Sequence, residues 1–419
     1  MLFEQGLSFM VMRSSGNFRN TRKINTEGAV TMTPCAPLSL VGLLLLASCQ
    51  LASLQDLTNR NADFSAHLYC AVSSRTDDNV FLSTFTLSAA LLPLLSAAAG
   101  PTQDQLLQGL SLKGLDPHTL PDLFQSLSTA VSNGSFDMNL RQGAAVLPRQ
   151  GVKMSSSFRD IVQTKFGGNA QSLYYTSPLE AASTINLWAQ ERTGDTVKVL
   201  VTDLDPQTQL LLATVAVYQV QFSPSFNTSL TQDERFYVNK YHVVMVPMMF
   251  RADKFFLAYD GALKAGVLKL PMAGGAAMLV VLPDEDVDVT AVEEELTGDK
   301  IQTWIRQLKK TKLEVQLPRF LLERSYSLRD VLQTLNITQV FQEAADLSNM
   351  GEGDAVKLTQ VFHTAVVSVA DSDGTGVGAS VFSTLPPRLT VNRPFIFIIY
   401  LQTSGAVLSI GRVIDPSRK

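Results

Sequence analysis

Apolar, strand-like runs dominate the second half of the chain, and they restrict its fold more than any other feature. After the long run "QLLLATVAVYQVQF" come "HVVMVPMMF", "KFFLAYD", "AGVLKLPM" and "AAMLVVLP". The chain closes on "RLTVNRPFIFIIYLQTSGAVLSIGRVID", which we interpret as three strands with a turn at Thr-Ser-Gly. Strands that are apolar on both faces must lie under other layers of a protein. The sequence therefore predicts extensive buried sheets, and the first long run is suited to a central strand.

Helical patterns are concentrated in the first half. "TLSAALLPLLSAAAG" predicts a buried helix. "PTQDQLLQGLSL", "PHTLPDLFQSLSTAVS", "SSSFRDIVQTKFGG" and "PLEAASTINLWAQERTG" predict further helices, with proline or serine near their starts and, in the last two, glycine at the end. No internal repeat, low-complexity tract or linker divides the chain after residue 49. We interpret residues 50–419 as one α+β domain, with strands dominant towards its end.

Residues 1–49 have the features of a leader with a signal peptide. Cys35 and Cys49 flank "APLSLVGLLLLAS", an apolar segment that is too short to span a bilayer but matches the apolar region of a signal peptide. Either the signal starts at Met32, or residues 1–31 form a long basic extension before it. Cleavage near residue 49 would leave Cys70 as the only cysteine. We therefore expect a secreted chain that is held together by its core and has no internal disulfide.

Composition and charge exclude several classes of function. The chain is 46% apolar and carries a net charge of -4, whereas a nucleic-acid-binding protein is more often basic. Its four histidines lie far apart in sequence and form no metal-ligand spacing. The sequence lacks the Gly-x-Ser-x-Gly motif that is typical of many serine hydrolases. We therefore expect that the protein is not an enzyme, and we expect no cofactor. Three sequons, which agree with export, begin at Asn133, Asn227 and Asn336.

The stretch "DSDGTGVGASVFSTLPPRLTVNRPF", residues 371–395, raises the question of a phosphate-binding loop. Such a loop places its glycines before a helix, whose N-terminus binds the phosphate. Here the glycines are followed by Pro386 and Pro387, which favour extended backbone, and no Lys-Ser or Lys-Thr follows. The stretch is therefore either a linker between two strands or an exposed loop with a function of its own.

Several long motifs resemble the serpin family, and they occur in the family's order over residues 55–419. "NRPFIFIIYLQTSGAVLSIGRVIDP" is similar to the family's closing strands, and "INLWAQERTG" to its I-N-x-W followed by T-x-G. "NVFLSTFTLS" and "AGVLKLPMAGGAAMLVVLP" also match. The resemblance implies the serpin fold: α+β, three β-sheets including a large five-stranded sheet A, and about eight or nine helices. It also implies a monomer with an exposed reactive loop at about residues 374–388.

A serpin inhibits by offering this loop to a serine protease as a substrate. After cleavage the loop enters sheet A as a new strand and carries the acylated protease with it. The hinge of the loop must pass between strands, so small side chains suit it. The resemblance assigns the hinge to Gly374, Thr375, Gly376, Val377, Gly378 and Ala379. It also places Ser83, Asn186 and His363 in the polar cluster, called the shutter, that controls opening of the sheet.

The likeness is greatest to plasma members that act together with protein Z. Asp77, Lys240, Tyr241 and Asp288 occupy positions that resemble contacts with that partner, although four solvated surface residues are an equally good interpretation. Heparin binding is expected to be weak or absent, because the helix that would support it offers only Lys113. A basic run at residues 306–312 is better explained as a solvated helix face. We expect no nucleic-acid or membrane partner.

The loop departs from the family in its length. From Gly374 to Leu385 there are twelve residues, about five fewer than usual before the Pro-Pro pair. Counting forward from the hinge places the reactive bond at Arg388-Leu389, whereas counting back from the prolines places it at Ser383-Thr384. Ser372 stands where the family has a glutamate, so the family's hinge ion pair is not expected. The candidate functions are a suicide-substrate inhibitor of trypsin-like coagulation proteases and a non-inhibitory binding protein with a shortened loop.

Overall fold

The structure is a computed structural model that describes residues 40–135, 137–353, 355–372 and 386–419, with side chains from residue 52 onward except 134 and 135. The chain divides into two units, Met1–Ser48 and Cys49–Lys419, and the account below concerns the second. None of the described helices is both long and apolar enough to cross a membrane.

Nine α-helices lie within the described residues. They are α1 (Leu40–Ser73), α2 (Thr84–Ala97), α3 (Gly100–Gly109), α4 (Leu120–Ser135), α5 (Ser156–Thr164), α6 (Pro178–Thr193), α7 (Val289–Glu294), α8 (Gly298–Gln307) and α9 (Arg329–Thr334). The sequence patterns predicted α2 to α6 in this order. Ser155 caps α5 by accepting a hydrogen bond from the Phe158 backbone N–H, and Gly194 ends α6 in the left-handed conformation, as their positions in the sequence indicate.

The described strands belong to three sheets. They are β1 (Val80–Leu82), β2 (Leu140–Pro148), β3 (Lys153–Met154), β4 (Asn169–Ala170), β5 (Leu210–Val220), β6 (Gln232–Tyr237), β7 (Val243–Asp260), β8 (Ala265–Pro271), β9 (Ala276–Pro283), β10 (Lys309–Pro318), β11 (Phe320–Ser327), β12 (Gly351–Glu352), β13 (Leu358–Val369), β14 (Arg388–Thr390), β15 (Phe395–Leu401) and β16 (Val407–Val413). The α+β class and the three closing strands, β14 to β16, are confirmed.

A five-stranded sheet has the order β11-β13-β5-β2-β4. Its centre is β5, the long apolar run that the sequence predicted as a central strand, and ten of its eleven residues are buried. Helix α6 packs on one face of the sheet through Ala181, Ile185 and Ala189, which belong to a core cluster with Ala213 and Val215 of β5. Helix α2, which is almost entirely buried, contacts β2 and β5 through the main core. This packing explains why both faces of β5 are apolar.

The largest sheet has nine strands, in the order β1-β16-β15-β9-β8-β7-β10-β14, with β6 paired to β7. Strand β7 is eighteen residues long and pairs with β6 in its first third and with β8 at its end. It therefore joins sheets that the resemblance implied were separate. The large five-stranded sheet that the resemblance implied is confirmed. The remaining sheet pairs β3 with β12.

Candidate functional site

The centre of the five-stranded sheet is a parallel pair, β13 and β5. Their register runs from Leu358 opposite Leu210 to Val369 opposite Val220. The predicted reactive loop follows β13 after only a few residues. A strand that turned back from the end of β13 and entered between these two would be antiparallel to both. Antiparallel pairing is slightly more stable per residue than parallel pairing, so the topology favours insertion once the pair has separated.

His363 on β13 forms hydrogen bonds across this pair. Its Nε2 accepts from the Ser83 backbone N–H at 3.1 Å, so in the neutral ring Nδ1 carries the proton. Nδ1 then donates to Thr214 Oγ1 of β5, 2.8 Å away, and that hydroxyl donates to the Phe362 carbonyl. Separation of β13 from β5 breaks the bond between His363 and Thr214. A buried hydrogen bond of this kind contributes about 1 kcal/mol to the closed sheet.

Ser83, the residue before α2, adds a second contact with β5 and extends the polar cluster to one more strand, β2. Its Oγ lies 2.9 Å from the Tyr218 hydroxyl of β5 and 2.7 Å from Thr86 Oγ1. Thr86 in turn donates to Gln142 Oε1 of β2 at 2.8 Å. The cluster therefore ties the start of α2 to three neighbouring strands, β13, β5 and β2. We call these residues, with His363 and Thr214, the shutter cluster.

The charge state of His363 is set by its burial. The ring is fully buried and stacks on Tyr326 with an interplanar angle of 14°. Desolvation lowers its pKa from the usual value of 6.5 to about 3. Tyr326 is also buried, and desolvation raises its pKa to about 12, so no charge from this neighbour assists protonation. The closed sheet therefore requires a neutral imidazole.

Asn186 does not belong to this cluster, which corrects the prediction from the sequence. It lies on α6, where Oδ1 accepts from the backbone N–H groups of Leu200 and Val201, and Nδ2 donates to the Val201 carbonyl. It therefore fixes the segment after α6. Sequence analysis overlooked Thr214 and Tyr218, whose positions on one face of the apolar β5 are the signal that could have revealed them.

A second polar contact fixes the end of β13 where the loop begins. The Asp371 carboxylate is buried, forms an ion pair with Arg319 and accepts from the Thr231 hydroxyl. Ser372 makes no ion pair, but its backbone N–H donates to the Phe226 carbonyl at 3.4 Å. The ion pair at the base of the loop therefore comes from Asp371, the residue before Ser372, which the sequence interpretation did not consider.

The predicted hinge, Gly374 to Ala379, and one candidate bond, Ser383-Thr384, lie outside the described residues. The other candidate bond, Arg388-Leu389, lies in β14, which pairs in parallel with β10. Arg388 also forms an ion pair with Glu314 on that strand at 2.8 Å. A protease could reach this bond only after the strand and its ion pair had been released.

The predicted partner-contact residues lie on exposed turns and helix starts. Asp77 is exposed shortly before β1, and Lys240 and Tyr241 lie in the turn between β6 and β7, where the Tyr241 side chain is 98% exposed. Asp288 is exposed, but it also caps α7 by accepting from the Thr290 backbone N–H. The structure thus gives Asp288 a role in helix stability that the sequence interpretation did not include.

The three sequon asparagines differ in accessibility. Asn133 on α4 and Asn336, which follows α9 with a positive φ of 62°, are exposed. Asn227 is half-buried, and its side chain accepts hydrogen bonds from Ser229. Among the residues that the structure describes, no group of His, Cys, Asp and Glu could hold a metal ion.

The chain was compared with known proteins. The model of the family described as "Serpin (serine protease inhibitor)" matches residues 59–416. Protein Z-dependent protease inhibitor from Homo sapiens is 31% identical over 376 residues, which cover 88% of this chain and 84% of the relative. The crystal structure of the mouse protein superimposes with a TM-score of 0.81 at 30% identity and covers 88% of this chain and 99% of that one. Thyroxine-binding globulin in complex with thyroxine gives a TM-score of 0.79 at 26% identity, with coverages of 86% and 99%.

Proposed function

The chain belongs to the serpin family, and on that premise we propose that it is a suicide-substrate inhibitor of a trypsin-like serine protease. The main support for the proposal is the closed parallel pair of β13 and β5. The predicted loop begins a few residues after β13 ends. Cleavage of the loop by the protease leaves an acyl-enzyme. The freed strand then enters between β13 and β5, becomes antiparallel to both, and displaces the protease before the ester is hydrolysed.

We place the reactive bond at Ser383-Thr384. The alternative, Arg388-Leu389, is supported by the basic residue that trypsin-like proteases prefer, but Arg388 is part of β14 and is paired with Glu314. From Gly374 to Ser383 there are ten residues, close to the eleven of β5 that an inserted strand would meet. Mass spectrometry of the fragment released by the protease distinguishes the two bonds.

Formation of a covalent complex tests the proposed inhibition. The protein is incubated with trypsin and with coagulation proteases and separated on a denaturing gel. An inhibitor yields a band at the combined mass, because the acyl bond is trapped. Only cleaved protein, with full protease activity remaining, would reject the proposal. Trypsin inactivated at its catalytic serine is the matched control, because it binds without forming the acyl bond.

A non-inhibitory binding protein is the second candidate, and the short loop favours it. Twelve residues from Gly374 to Leu385 are about five fewer than inhibitory members have, which shortens the extended reach by roughly 17 Å. Thyroxine-binding globulin, by its name, shows that the same fold can serve as a carrier. This candidate predicts cleavage without trapping in the denaturing gel.

We further propose that the protein is secreted into plasma and acts with protein Z. The name of its human relative supports this partner, and the hairpin of β6 and β7 offers a suitable surface. Around the fully exposed Tyr241, the side chains of Tyr237, Val243 and Met245 are 43–60% exposed. Tyrosine is among the residues enriched in binding hot spots, and this hairpin exposes two, Tyr237 and Tyr241.

Secretion is tested on protein from the medium of expressing cells. N-terminal sequencing is expected to begin near Gln50, and removal of N-glycans is expected to increase gel mobility. Asn133→Gln and Asn336→Gln should each abolish part of that shift, because these two asparagines are exposed. An intracellular, unglycosylated product that begins at Met1 would contradict secretion.

A further inference from the structure

The methionines of this chain differ sharply in their exposure to solvent. Met245 on β7 is 60% exposed. Two others on the same strand, Met248 and Met249, are 1% and 0% exposed. The remaining methionines that the structure describes are exposed by 7% or less: Met138, Met154, Met272, Met278 and Met350. Within the described part of the chain, an oxidant in the solvent therefore reaches one thioether directly.

Strand register places Met245 in the middle of an exposed strip. Residues directly opposite each other in an antiparallel pair lie on the same face, as do alternate residues of one strand. Met245 is opposite Arg235, and Val243 is opposite Tyr237. These four side chains and Pro247 are exposed, and we call them the hairpin strip. The strip ends at the turn between β6 and β7, so Met245 belongs to the surface proposed for the partner.

We propose that Met245 is a site of reversible oxidation by hydroperoxides, and that its oxidation weakens binding of the partner to the hairpin. The effect on binding rests on the proposed contact with protein Z. In the reaction, a lone pair of the thioether sulfur attacks one oxygen of hydrogen peroxide and the O–O bond breaks. The sulfur loses two electrons and gains the oxygen, whereas the second oxygen is reduced and leaves as water with both protons of the peroxide.

The change in polarity explains the effect on binding. A thioether is flexible and apolar, whereas a sulfoxide is polar and its oxygen accepts hydrogen bonds. On the hairpin strip the new oxygen is hydrated while the chain is free, so the fold should tolerate it. A partner that covers the strip must remove this water, which costs free energy unless the partner supplies a donor. Oxidation should therefore lower the affinity without lowering the melting temperature.

The buried methionines provide an internal contrast on the same strand. An oxygen added to Met248 or Met249 would lie among the apolar residues of the core, so these sites should react only when the strand opens. Cys70 is a weak competitor for the oxidant. Burial raises the pKa of its thiol to about 11, so the reactive thiolate is scarce.

Peptide mapping after brief treatment with hydrogen peroxide tests the site itself. Trypsin releases residues 241–251 as one peptide, which contains Met245, Met248 and Met249. Fragment masses should assign the oxygen to Met245, which should react about tenfold faster than the other two. In urea the three should react at similar rates. Equal rates in the native chain would overturn the proposal, whether or not protein Z binds.

Surface plasmon resonance with immobilised protein Z tests the effect on binding. Peroxide treatment should weaken binding by the native chain about tenfold, and methionine sulfoxide reductases should restore it. The affinity of Met245→Leu, whatever its starting value, should not change on treatment, because leucine has no sulfur. Met248→Leu is the matched control and should lose affinity on treatment as the native chain does.

Unchanged affinity of the native chain after complete oxidation of Met245 would overturn the effect on binding, as would an equal loss in Met245→Leu. If the untreated chain does not bind protein Z, the proposed partner is wrong and the effect on binding is rejected with it. The peptide map then still decides the modification site, so the two failures are distinguishable. Thermal melting of each oxidised sample verifies that it is folded.

Discussion

His363 links a proton equilibrium to the closed state of the sheet. Its ring is buried without a carboxylate partner, and both ring nitrogens are engaged in hydrogen bonds that require the neutral form. Ser83 and Thr214, its partners, lie on different elements. Protonation would replace the acceptor at Nε2 with a donor that faces the Ser83 N–H. A single charge at this position therefore opposes the packing of α2, β13 and β5 together.

The stability of the protein should consequently fall in acid through His363. Because the pKa in the folded state is lowered to about 3, the unfolded state binds the proton first. The contribution is fully present above about pH 6.5 and is lost as the pH falls towards 3. Between pH 7 and pH 5 the expected loss is about 2 kcal/mol in the free energy of unfolding.

Urea denaturation at these two pH values measures the loss. In His363→Gln this part of the pH dependence should disappear, although the variant itself is less stable. His118→Gln is the control, since His118 is exposed, and it should retain the dependence of the native chain. An unchanged pH dependence in His363→Gln would assign the acid sensitivity to other groups.

Asp371 should act as an anchor at the base of the reactive loop. Asp371→Asn removes the ion pair with Arg319 and leaves that guanidinium without its carboxylate. Because Arg319 is partly exposed, solvent screens part of the loss, and we expect about 1–2 kcal/mol of destabilisation. The variant should also open its sheet more readily and form polymers faster on mild heating.

The exposed pair Asp286 and Lys264 provides the comparison for this variant. Asp286→Asn should leave the stability nearly unchanged, because both partners are largely solvated. Polymerisation is followed on native gels, and stability by thermal melting. Identical behaviour of Asp371→Asn and Asp286→Asn would mean that the buried carboxylate does not fix the loop.

At the scale of elements, the hairpin of β6 and β7 combines rigid pairing with an exposed turn. Six consecutive register pairs, from Gln232 opposite Met248 to Tyr237 opposite Val243, fix its strands. In the turn, Asn239 Oδ1 accepts from the backbone N–H groups of Tyr241 and His242. The Tyr241 ring is therefore presented by a fixed backbone, which lowers the entropy lost when a partner covers it.

Tyr241→Ala is expected to weaken protein Z binding by about 2 kcal/mol, roughly thirtyfold, if that partner uses this surface. Surface plasmon resonance with immobilised protein Z measures the affinity. Tyr259→Ala is the control, because Tyr259 is also exposed but lies at the far end of β7. Equal affinities of the native chain and Tyr241→Ala would reject the hairpin as the contact.

Asp288, another candidate contact with protein Z, is tested better by substitution with asparagine than with alanine. Replacement by alanine would remove the cap of α7 and destabilise the helix by about 1 kcal/mol, which could lower binding indirectly. Asp288→Asn retains the capping oxygen and removes only the charge. A loss of binding in this variant, with unchanged melting, would indicate a direct contact.

At the scale of the whole molecule, cleavage of the loop should stabilise the protein, but less than in serpins with longer loops. Each ladder hydrogen bond that an inserted strand adds contributes about 1 kcal/mol net, and the freed strand of this chain is short. We expect a modest rise in melting temperature after cleavage, with part of the protein trapped in a covalent complex and the rest released as cleaved substrate. Insertion of about five residues between Phe382 and Leu385 should increase both the rise and the trapped part.

The same insertion made in an exposed turn, between Gly261 and Ala262, is the control for chain length alone. It should change neither the rise in melting temperature nor the yield of denaturant-stable complex. Stoichiometric trapping by the native chain, together with a large rise on cleavage, would show that the missing length does not limit this loop.

The sequence by itself determined the elements and the family. The apolar runs after residue 208 predicted buried strands, and the capped, periodic segments before it predicted helices. Both predictions were possible because hydrophobic periodicity and helix caps depend only on residues that are close together in sequence. Membership of the serpin family followed from motifs such as "INLWAQERTG", and the match over residues 59–416 confirms it. The location of the hinge and of the partner surface also came from the sequence, and both stay predictions.

Only the tertiary structure decided which residues meet. Asn186 and Thr214 are both polar residues next to apolar neighbours, yet Thr214 reaches His363 whereas Asn186 binds the chain after α6. Asp371 rather than Ser372 supplies the carboxylate that pairs with Arg319, and Arg141 and Arg192, which are far apart in sequence, line one cavity. These contacts depend on strand register and helix packing over long separations in sequence. A local pattern carries no information about them, because a shift of one residue in register turns every side chain to the opposite face.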